Sequence, residues 1–305
     1  MKKIRLSYFG SPSFSARFLE KIILDKDLPV EVVAVITQPD QPVGRKQILT
    51  PTPVKIIANK YKIKVSTIGG EDGKWGNLGQ NLLRDIDLGL VYAYSQIIPA
   101  VMLQQPKFGF WNIHPSLLPY YRGPSPTAFP LINGDKITGT TIIKMDEKID
   151  HGPIITQEKL KILLSDKRPD LEIKLTDLGY TLFKSVIPSV VEGSLSATPQ
   201  NHSLATYTRR LTKADGFVKL SDLKNPKNSQ KIYNLFRGLY PWPGPWTQIR
   251  PLRSDAAHPK RLKITDLDLI NNKLVIKKVQ LEGKKEVDWQ TFVRAYNINI
   301  TSPKE

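Results

Sequence analysis

Two side chains that can stabilise charge and move protons stand two positions apart in one apolar segment. Asn112 and His114 belong to residues 109–114, whose aromatic and β-branched residues predict a β-strand. Because side chains alternate between the faces of a strand, both would point to the same side. An amide there can donate to a developing negative charge, and an imidazole titrates near neutral pH. The pair therefore predicts a catalytic point at the end of this strand, although a structural histidine is the alternative for such a pair taken alone.

Two flanking segments could complete such a site. Residues 146–153 form a carboxylate-rich turn after a further predicted strand, and a carboxylate from it could orient the His114 imidazole. Pro115 and Pro119 stiffen the loop that follows His114 and expose its backbone, as a ligand-binding loop requires. These residues predict acid–base chemistry next to a bound ligand.

The elements that must position these residues alternate between strands and helices. Strands are predicted over residues 4–9, 30–37, 88–94, 109–114 and 138–145, and helices over residues 13–24, 53–61 and 169–191. This alternation is typical of an α/β fold with a doubly wound, mostly parallel sheet. Ligands bind such sheets beyond the carboxyl ends of the strands. The first strand-to-helix turn has one glycine and Pro12, which disfavours dinucleotide and P-loop sites.

The pattern changes in the last third of the chain. Residues 191–205 are rich in turn formers and predict a linker between a catalytic domain, residues 1–190, and a second domain, residues 206–305. Short alternating strands are predicted over residues 246–250, 261–270 and 273–281, with a helix over residues 229–239. We therefore expect a small, OB-like C-terminal β-barrel.

Composition narrows the classes of function. The chain has no cysteine, which excludes disulfides, thiolate metal sites and a cysteine nucleophile. Its four histidines lack the spacing of metal ligands, so no metal is expected. Polar residues and proline interrupt the apolar stretch at residues 88–103, and the first residues lack the apolar run of a signal peptide. We therefore expect a cytoplasmic protein with no membrane partner.

The charge of the chain is strongly positive and unevenly distributed. The formal net charge is +17 at pH 7. Residues 206–305 contain 20 Lys and Arg against 9 Asp and Glu, whereas the preceding residues contain 25 against 19. A positive excess in the second domain predicts a polyanionic partner, most simply a nucleic acid.

A longer motif surrounds the Asn–His pair. It reads Asn112-Ile113-His114-Pro115-Ser116-Leu117-Leu118-Pro119, followed later by Asp150-His151-Gly152, and it resembles the folate-dependent formyltransferase superfamily. The resemblance implies a Rossmann-like formyltransferase domain and 10-formyltetrahydrofolate as the donor. It implies that Asn112 donates to an oxyanion, that His114 moves protons and that Asp150 keeps the imidazole protonated. Folate contacts are implied for Ser116, Leu117, Leu118, Pro119 and Tyr94.

Five further stretches choose among the members of that superfamily. They are residues 10–14, 37–45, 51–55, 237–247 and 279–285. All are similar to segments of methionyl-tRNA formyltransferases, which implies initiator methionyl-tRNA as the acceptor, a tRNA-binding C-terminal domain and a monomer. Contacts to tRNA are implied for Arg45 and Lys46 in a basic insertion loop. Arg122 is a further candidate for a tRNA contact. Its alternative roles are to bind a carboxylate of folate or to form a structural salt bridge.

Three places depart from the pattern of that family, and one of them is residues 123–128, where the sequence Gly-Ala-Ala-Pro-Ile is more usual. Ser95 and Gln96 follow Tyr94 where the family has Tyr-Gly, and Gln41 stands where arginine is frequent. Two other functions stay open at this point: transfer to a small amine, such as an aminosugar nucleotide or glycinamide ribonucleotide, and non-catalytic RNA binding on the same scaffold.

Overall fold

The computed structural model of the chain describes residues 3–44, 46–67, 85–249 and 258–296. These residues form two compact units, each assembled from segments that are not contiguous in the chain. The first unit takes the described residues within 1–126, 138–161 and 172–208, and the second takes those within 127–137, 162–171 and 209–305.

A seven-stranded sheet is the centre of the first unit. The strands in this part of the chain are β1 (Ile4–Gly10), β2 (Val30–Thr37), β3 (Gln41–Val43), β4 (Ile48–Thr50), β5 (Lys64–Thr67), β6 (Leu88–Tyr92), β7 (Phe110–His114), β8 (Ile137–Lys144) and β9 (Ile154–Lys161). The sheet has the order β5-β2-β1-β6-β7-β8-β9, while β3 and β4 form a separate hairpin. All pairs from β5 to β7 are parallel, and β7 and β8 are antiparallel. The predicted mostly parallel α/β sheet is confirmed.

Helices connect these strands, and further helices belong to the second unit. They are α1 (Ser13–Leu24), α2 (Pro53–Lys60), α3 (Ala100–Leu103), α4 (Ala128–Asn133), α5 (Arg168–Glu192), α6 (Leu220–Leu223), α7 (Ser229–Leu239) and α8 (Trp289–Tyr296). The side chain of Thr52 caps α2 by accepting from the Lys55 N–H at 3.1 Å. In the part of the chain that is described, no helix combines the length and the apolar character needed to cross a membrane.

The core of the first unit explains why its central strands read as apolar runs. Leu6, Tyr8, Leu90 and Trp111 are fully buried, because helices cover both faces of a parallel sheet. Tyr8 satisfies its buried hydroxyl group by donating to the Ser15 carbonyl oxygen at 2.8 Å. The centre of the sheet is therefore a rigid frame for the strand ends.

The register of the sheet brings the ends of three strands to one edge. Gly10 of β1 pairs with Tyr92 of β6, and Val91 of β6 pairs with Asn112 of β7. His114, the last residue of β7, lies opposite Thr141 of the antiparallel strand β8. The Asn–His pair therefore stands at the carboxyl edge, where an α/β sheet binds its ligand.

A four-stranded antiparallel sheet organises the second unit. Its strands are β10 (Trp246–Ile249), β11 (Lys260–Ile270), β12 (Lys273–Leu281) and β13 (Glu286–Asp288), in that order across the sheet. Phe236 of α7 and Phe292 of α8 belong to the same apolar cluster as Leu267 and Val279 of this sheet. The register of β11 and β12 shifts at Asp266, which is typical of a sheet that bends. This architecture agrees with the small C-terminal barrel expected from the sequence.

Asp25 at the end of α1 makes the fold of the first unit sensitive to acid. Its Oδ2 accepts from Lys184 Nζ at 2.6 Å and from the Tyr180 hydroxyl group at 2.5 Å, both on α5. These two donors lower the pKa of the Asp25 carboxyl group to about 2. A lowered pKa stabilises the fold while the group is ionised, and this contribution disappears as the pH falls from about 4 towards 2.

We expect Asp25→Asn to lower the free energy of unfolding at pH 7 by no more than about 1 kcal/mol, the upper range for surface ion pairs. The difference from the unchanged protein should shrink when denaturant unfolding is repeated between pH 4 and pH 2. Asp27→Asn, which removes an exposed carboxylate two residues away, is the control. A difference that does not depend on pH would show that the ionised carboxylate is not responsible.

Candidate active site

Asp150 reaches the Asn–His pair from the loop after β8. Its backbone lies in the left-handed region, with a φ of 51°. Gly152 follows, and a Cβ at that position would lie 1.8 Å from the Lys144 carbonyl oxygen. Only glycine fits this approach, so the Asp150–Gly152 turn packs tightly against the end of β8.

The carboxylate of Asp150 contacts both side chains of the predicted pair. Asn112 Nδ2 donates to Asp150 Oδ1 at 3.0 Å, and His114 Nδ1 lies 3.5 Å from the same oxygen. The second oxygen, Oδ2, accepts from the Gly123 N–H at 2.7 Å. The His114 and Asp150 side chains are only 4% and 11% exposed. The structure thus brings together the three side chains proposed as catalytic.

The imidazole of His114 is oriented from its far side. Its Nε2 lies 2.9 Å from the Tyr121 carbonyl oxygen. Because a carbonyl oxygen only accepts, this contact assigns a proton to Nε2 and leaves Nδ1 facing Asp150. A proton gained at Nδ1 would therefore lie beside a carboxylate.

The second carboxylate candidate of this turn has a different partner. Asp146 Oδ2 lies 2.6 Å from His151 Nδ1. The ring of His151 in turn stacks on that of His202, with the ring centroids 3.9 Å apart and an interplanar angle of 4°. Of the carboxylates that the sequence left open, Asp150 is the one that faces His114.

This arrangement can stabilise an oxyanion and move a proton. An amide carries two N–H donors, and Asn112 uses one of them on Asp150. The other can serve a negative charge that develops at a reacting carbonyl oxygen. An imidazole next to a carboxylate can accept a proton and return it. These are the requirements of acyl or formyl transfer.

The loop proposed to contact folate is held by the sheet beside it. Thr141 Oγ1 donates to the Ser116 carbonyl oxygen at 2.6 Å and accepts from the Leu118 N–H at 3.1 Å. The side chains of Ser116 and Leu118 are buried, whereas Leu117 and Pro119 are partly exposed. Leu117 and Pro119 are therefore the members of this loop with surface to offer a ligand, and folate binding by the loop stays a prediction.

Tyr94 is also buried, at 1% exposed. Burial raises the pKa of its hydroxyl group above the usual range. Its ring packs edge-on against Phe9, with centroids 5.6 Å apart, and its hydroxyl group donates to Gln96 Oε1 at 3.1 Å. Ser95, which departs from the family glycine, has a φ of 67°, a backbone conformation that favours glycine. The departure therefore carries a backbone cost.

The three residues proposed to contact tRNA differ in their surroundings. Arg45 lies outside the described residues. Lys46 is exposed on the turn between β3 and β4. Arg122 is 1% exposed, and its Nη2 donates to Gln200 Oε1 at 2.6 Å. In this conformation Arg122 offers almost no surface to a tRNA phosphate.

Some residues of the site carry no sequence signal. Tyr121 supplies only a carbonyl oxygen and Gly123 only an N–H. The amide of Gln200 donates to the carbonyl oxygens of Asp150 and Gly152, although it belongs to the segment predicted as a linker. The turn-forming residues around Gln200 give no indication that its side chain binds backbone atoms about fifty residues away.

A cavity of about 580 Å³ adjoins the turn that carries Asp150. Residues 146–148 of the turn line one side of it, and α3 lines another. Its wall combines apolar Leu103 and Met145 with Lys107 and Lys144. Among the residues that the structure describes, no group of three or more His, Asp or Glu side chains could hold a metal ion.

Comparison with known proteins identifies the family of the chain. The family model described as formyl transferase matches residues 2–187. A methionyl-tRNA formyltransferase from Staphylococcus aureus strain JH1 is 34% identical over 311 residues, which cover 93% of each chain. The resemblance found in the sequence is therefore confirmed.

Two solved structures share the fold. A 4-N formyltransferase from Francisella tularensis is 23% identical with a TM-score of 0.61, covering 81% of this chain and 93% of its own. An N-formyltransferase from Helicobacter canadensis, in complex with folinic acid and dTDP-3-aminofucose, is 22% identical with a TM-score of 0.62, covering 88% of both chains. The family model matches more than half of the sequence, and the relative of 34% identity aligns over 93% of its length. The chain belongs to the formyl transferase family, among its methionyl-tRNA formyltransferases.

Proposed function

We propose that this protein transfers the formyl group of 10-formyltetrahydrofolate to the α-amino group of initiator methionyl-tRNA. The observation that carries the proposal is the contact of Asn112, His114 and Asp150 at the carboxyl edge of the sheet. The methionyl-tRNA formyltransferase from Staphylococcus aureus aligns over 93% of the chain, so the similarity includes the second unit and not only the fold of the first.

The reaction sets two requirements for the protein. The formyl carbon passes from a folate nitrogen to an amine nitrogen through a tetrahedral oxyanion. The attacking amine loses a proton and the departing folate nitrogen gains one. The site therefore needs a donor for the oxyanion and a group that carries a proton between two nitrogens.

Asn112 meets the first requirement. Its contact with Asp150 fixes the orientation of the amide, and the remaining N–H serves the oxyanion. A donor held in place before the reaction needs no reorganisation when the charge forms, which is why removing one such donor typically costs a factor of about 100 or more in rate.

His114 and Asp150 meet the second requirement together. Nδ1 of His114 lies beside the Asp150 carboxylate, 3.5 Å from Oδ1, and is the atom proposed to take and return the proton. The hydrogen bond from Nε2 to Tyr121 keeps the ring in place while the proton is held. Water can link Nδ1 to the amine.

The folate donor has two candidate contact surfaces. One is the loop with partly exposed Leu117 and Pro119. The other is the cavity beside residues 146–148, where lysines can pair with the carboxylates of folate and Leu103 and Met145 can pack against its apolar parts. Both belong to the first unit.

The acceptor is proposed from charge and likeness. The domain at residues 206–305 is proposed to hold tRNA through phosphates, because it contains 20 Lys and Arg against 9 Asp and Glu. Lys46 and Arg45 are proposed to place the acceptor end. The solved N-formyltransferase that is in complex with dTDP-3-aminofucose is 22% identical and supports the fold alone, so no sugar acceptor is favoured. We propose that the protein acts as a monomer in the cytoplasm, where translation begins.

Removing either member of the Asn–His pair should abolish most turnover. Asn112→Ala and His114→Ala should each lower kcat by a factor of about 100 or more, because each removes stabilisation that exists only in the transition state. The measurement is formation of formyl-methionyl-tRNA at saturating substrates. Folate affinity should stay within about threefold, since neither residue holds the donor in the ground state.

The matched controls are Asn59→Ala on the exposed face of α2 and His258→Ala at an exposed position. Both should retain full turnover. Near-normal kcat in Asn112→Ala or His114→Ala would remove that residue from the proposed mechanism.

Asp150→Asn should be as damaging as loss of His114. The substitution removes the charge and turns an NH₂ group towards either the Gly123 N–H or the Asn112 amide, both of which are donors. We expect kcat to fall by about 100-fold or more, and the pH–rate profile to change shape. Asp146→Asn, measured alongside, should have a much smaller effect. The opposite ranking would assign the carboxylate role to Asp146.

Charge reversal in the second unit should weaken tRNA binding selectively. Lys284→Glu with Lys285→Glu changes two exposed side chains on the turn before β13. We expect KM for tRNA to rise about tenfold and its dependence on salt to become shallower, because each lost phosphate contact releases fewer counterions. Turnover at saturating tRNA should hold.

Lys159→Glu with Lys161→Glu makes the same charge change on exposed positions of β9 and serves as the control. A flat salt response of the unchanged protein would eliminate tRNA as the acceptor, although formyl transfer to a small amine could remain.

A further inference from the structure

One segment of the first unit lies along both loops that hold the catalytic trio. We refer to residues 198–208 as the strap. At its start, Thr198 and Ile154 exchange two backbone hydrogen bonds of 2.8 Å, just after the Asp150 turn. At its end, Arg122 donates its N–H to the Thr206 carbonyl oxygen at 2.9 Å and accepts from the Thr208 N–H at 2.7 Å. The strap therefore joins the turn of Asp150 to the loop of Arg122.

Gln200 is the side chain of the strap that reaches the catalytic turn. It is 6% exposed, and its Nε2 donates to the Asp150 carbonyl oxygen at 2.9 Å and to the Gly152 carbonyl oxygen at 2.7 Å. Both N–H groups of the amide are thus used on the two sides of His151. This is the stretch in which Asp150 adopts its left-handed backbone. The amide holds that backbone from outside the turn.

Arg122 fixes which way this amide faces. Its Nη2 donates to Gln200 Oε1 at 2.6 Å and also lies 2.9 Å from His202 Nδ1. With the oxygen facing the guanidinium group, the NH₂ group must face the two carbonyl oxygens. In the described part of the chain Arg122 has no carboxylate partner within ion-pair distance, and its Nε has no hydrogen-bond partner. Its partners are neutral acceptors, and Gln200 Oε1 is nearer to it than His202 Nδ1 or the Tyr207 hydroxyl group at 3.4 Å.

We propose that Gln200, oriented by Arg122, is a positioning residue for the Asp150 carboxylate. This inference rests on the proposed function, because it assigns Asp150 its role in formyl transfer. Arg122 orients Gln200, Gln200 holds the turn, and the turn sets the carboxylate against Asn112 and His114. Displacement of reacting groups by about 1 Å can cost a factor of about 100 in rate. Because Gln200 is buried and donates to the backbone of the turn, its proposed effect on the reaction passes through Asp150.

The test uses the full chain and two substitutions that remove the donors in different ways. Gln200→Glu keeps the shape and the contact with Arg122 but turns an oxygen towards both carbonyl groups. Gln200→Leu removes the hydrogen bonds without adding charge, which keeps the test valid if the first variant does not fold. Asn201→Asp makes the same amide-to-carboxylate change at the adjacent exposed residue, whose contacts to Ser203 an aspartate can keep. It is the matched control.

We expect both Gln200 variants to lower kcat by about tenfold or more, while KM for folate and for tRNA changes by less than about threefold. The control should keep the kcat of the unchanged protein. Arg122→Lys combined with Gln200→Leu should have the kcat of Gln200→Leu alone, because Arg122 acts through Gln200. The proposal would be overturned if folded Gln200 variants kept a normal kcat. It would also be overturned if Arg122→Lys lowered kcat further when it is added to Gln200→Leu.

A second measurement separates this inference from the proposed function. The Gly123 N–H donates to Asp150 Oδ2, so its hydrogen exchange reports the position of the carboxylate without any substrate. We expect faster exchange at Gly123 in the Gln200 variants and unchanged exchange in Asn201→Asp. Equal exchange in all proteins would refute the positioning role and leave the reaction untouched. An unchanged protein that forms no formyl-methionyl-tRNA would refute the proposed function, while faster exchange at Gly123 would still support the coupling of Gln200 to Asp150.

Discussion

The carboxyl group of Asp150 lies at a site with little access to water, since its side chain is 11% exposed, and each of its oxygens contacts a neighbour. Oδ1 accepts from Asn112 and faces His114, and Oδ2 accepts from the Gly123 N–H. A buried charge costs several kcal/mol, about as much as a small domain can spare, unless donors replace the lost water. The same contacts that stabilise the carboxylate also orient the amide and the imidazole. Stability and reactivity at this site therefore depend on one set of hydrogen bonds.

The sheet supplies the frame for these contacts. Parallel strands with both faces covered end at one edge, and β7 delivers Asn112 and His114 there with side chains on one face. The antiparallel strand β8 then returns the chain so that the Asp150 turn can reach back to β7. Gly152 allows that turn to lie against the Lys144 carbonyl oxygen. The strap of residues 198–208 adds the hydrogen bonds that the turn does not make within itself.

The two compact units differ in character, and the proposed function uses that difference. The first unit holds the trio, the loop at residues 115–119 and the cavity beside residues 146–148. The second unit holds an antiparallel sheet and most of a strongly basic stretch of chain. Formyl transfer needs a few groups placed within fractions of an ångström, whereas phosphate binding needs many charges placed loosely. The proposed division of labour follows from these separate demands.

The class of fold, the strand that carries the Asn–His pair and the family could all be predicted from the sequence, because alternation of side chains and a long contiguous motif are local properties. The strands β1, β2, β7 and β8 lie close to their predicted bounds. The strands β5, β9 and β13 were not predicted, because all of their residues are exposed or half-exposed and their sequences show no clear period. Three features needed the folded chain: which carboxylate faces His114, the burial of Arg122 and the contact of Gln200 with the catalytic turn. Those contacts join residues far apart in the chain, and several of them use backbone atoms that every residue has, so the residue types alone do not indicate them.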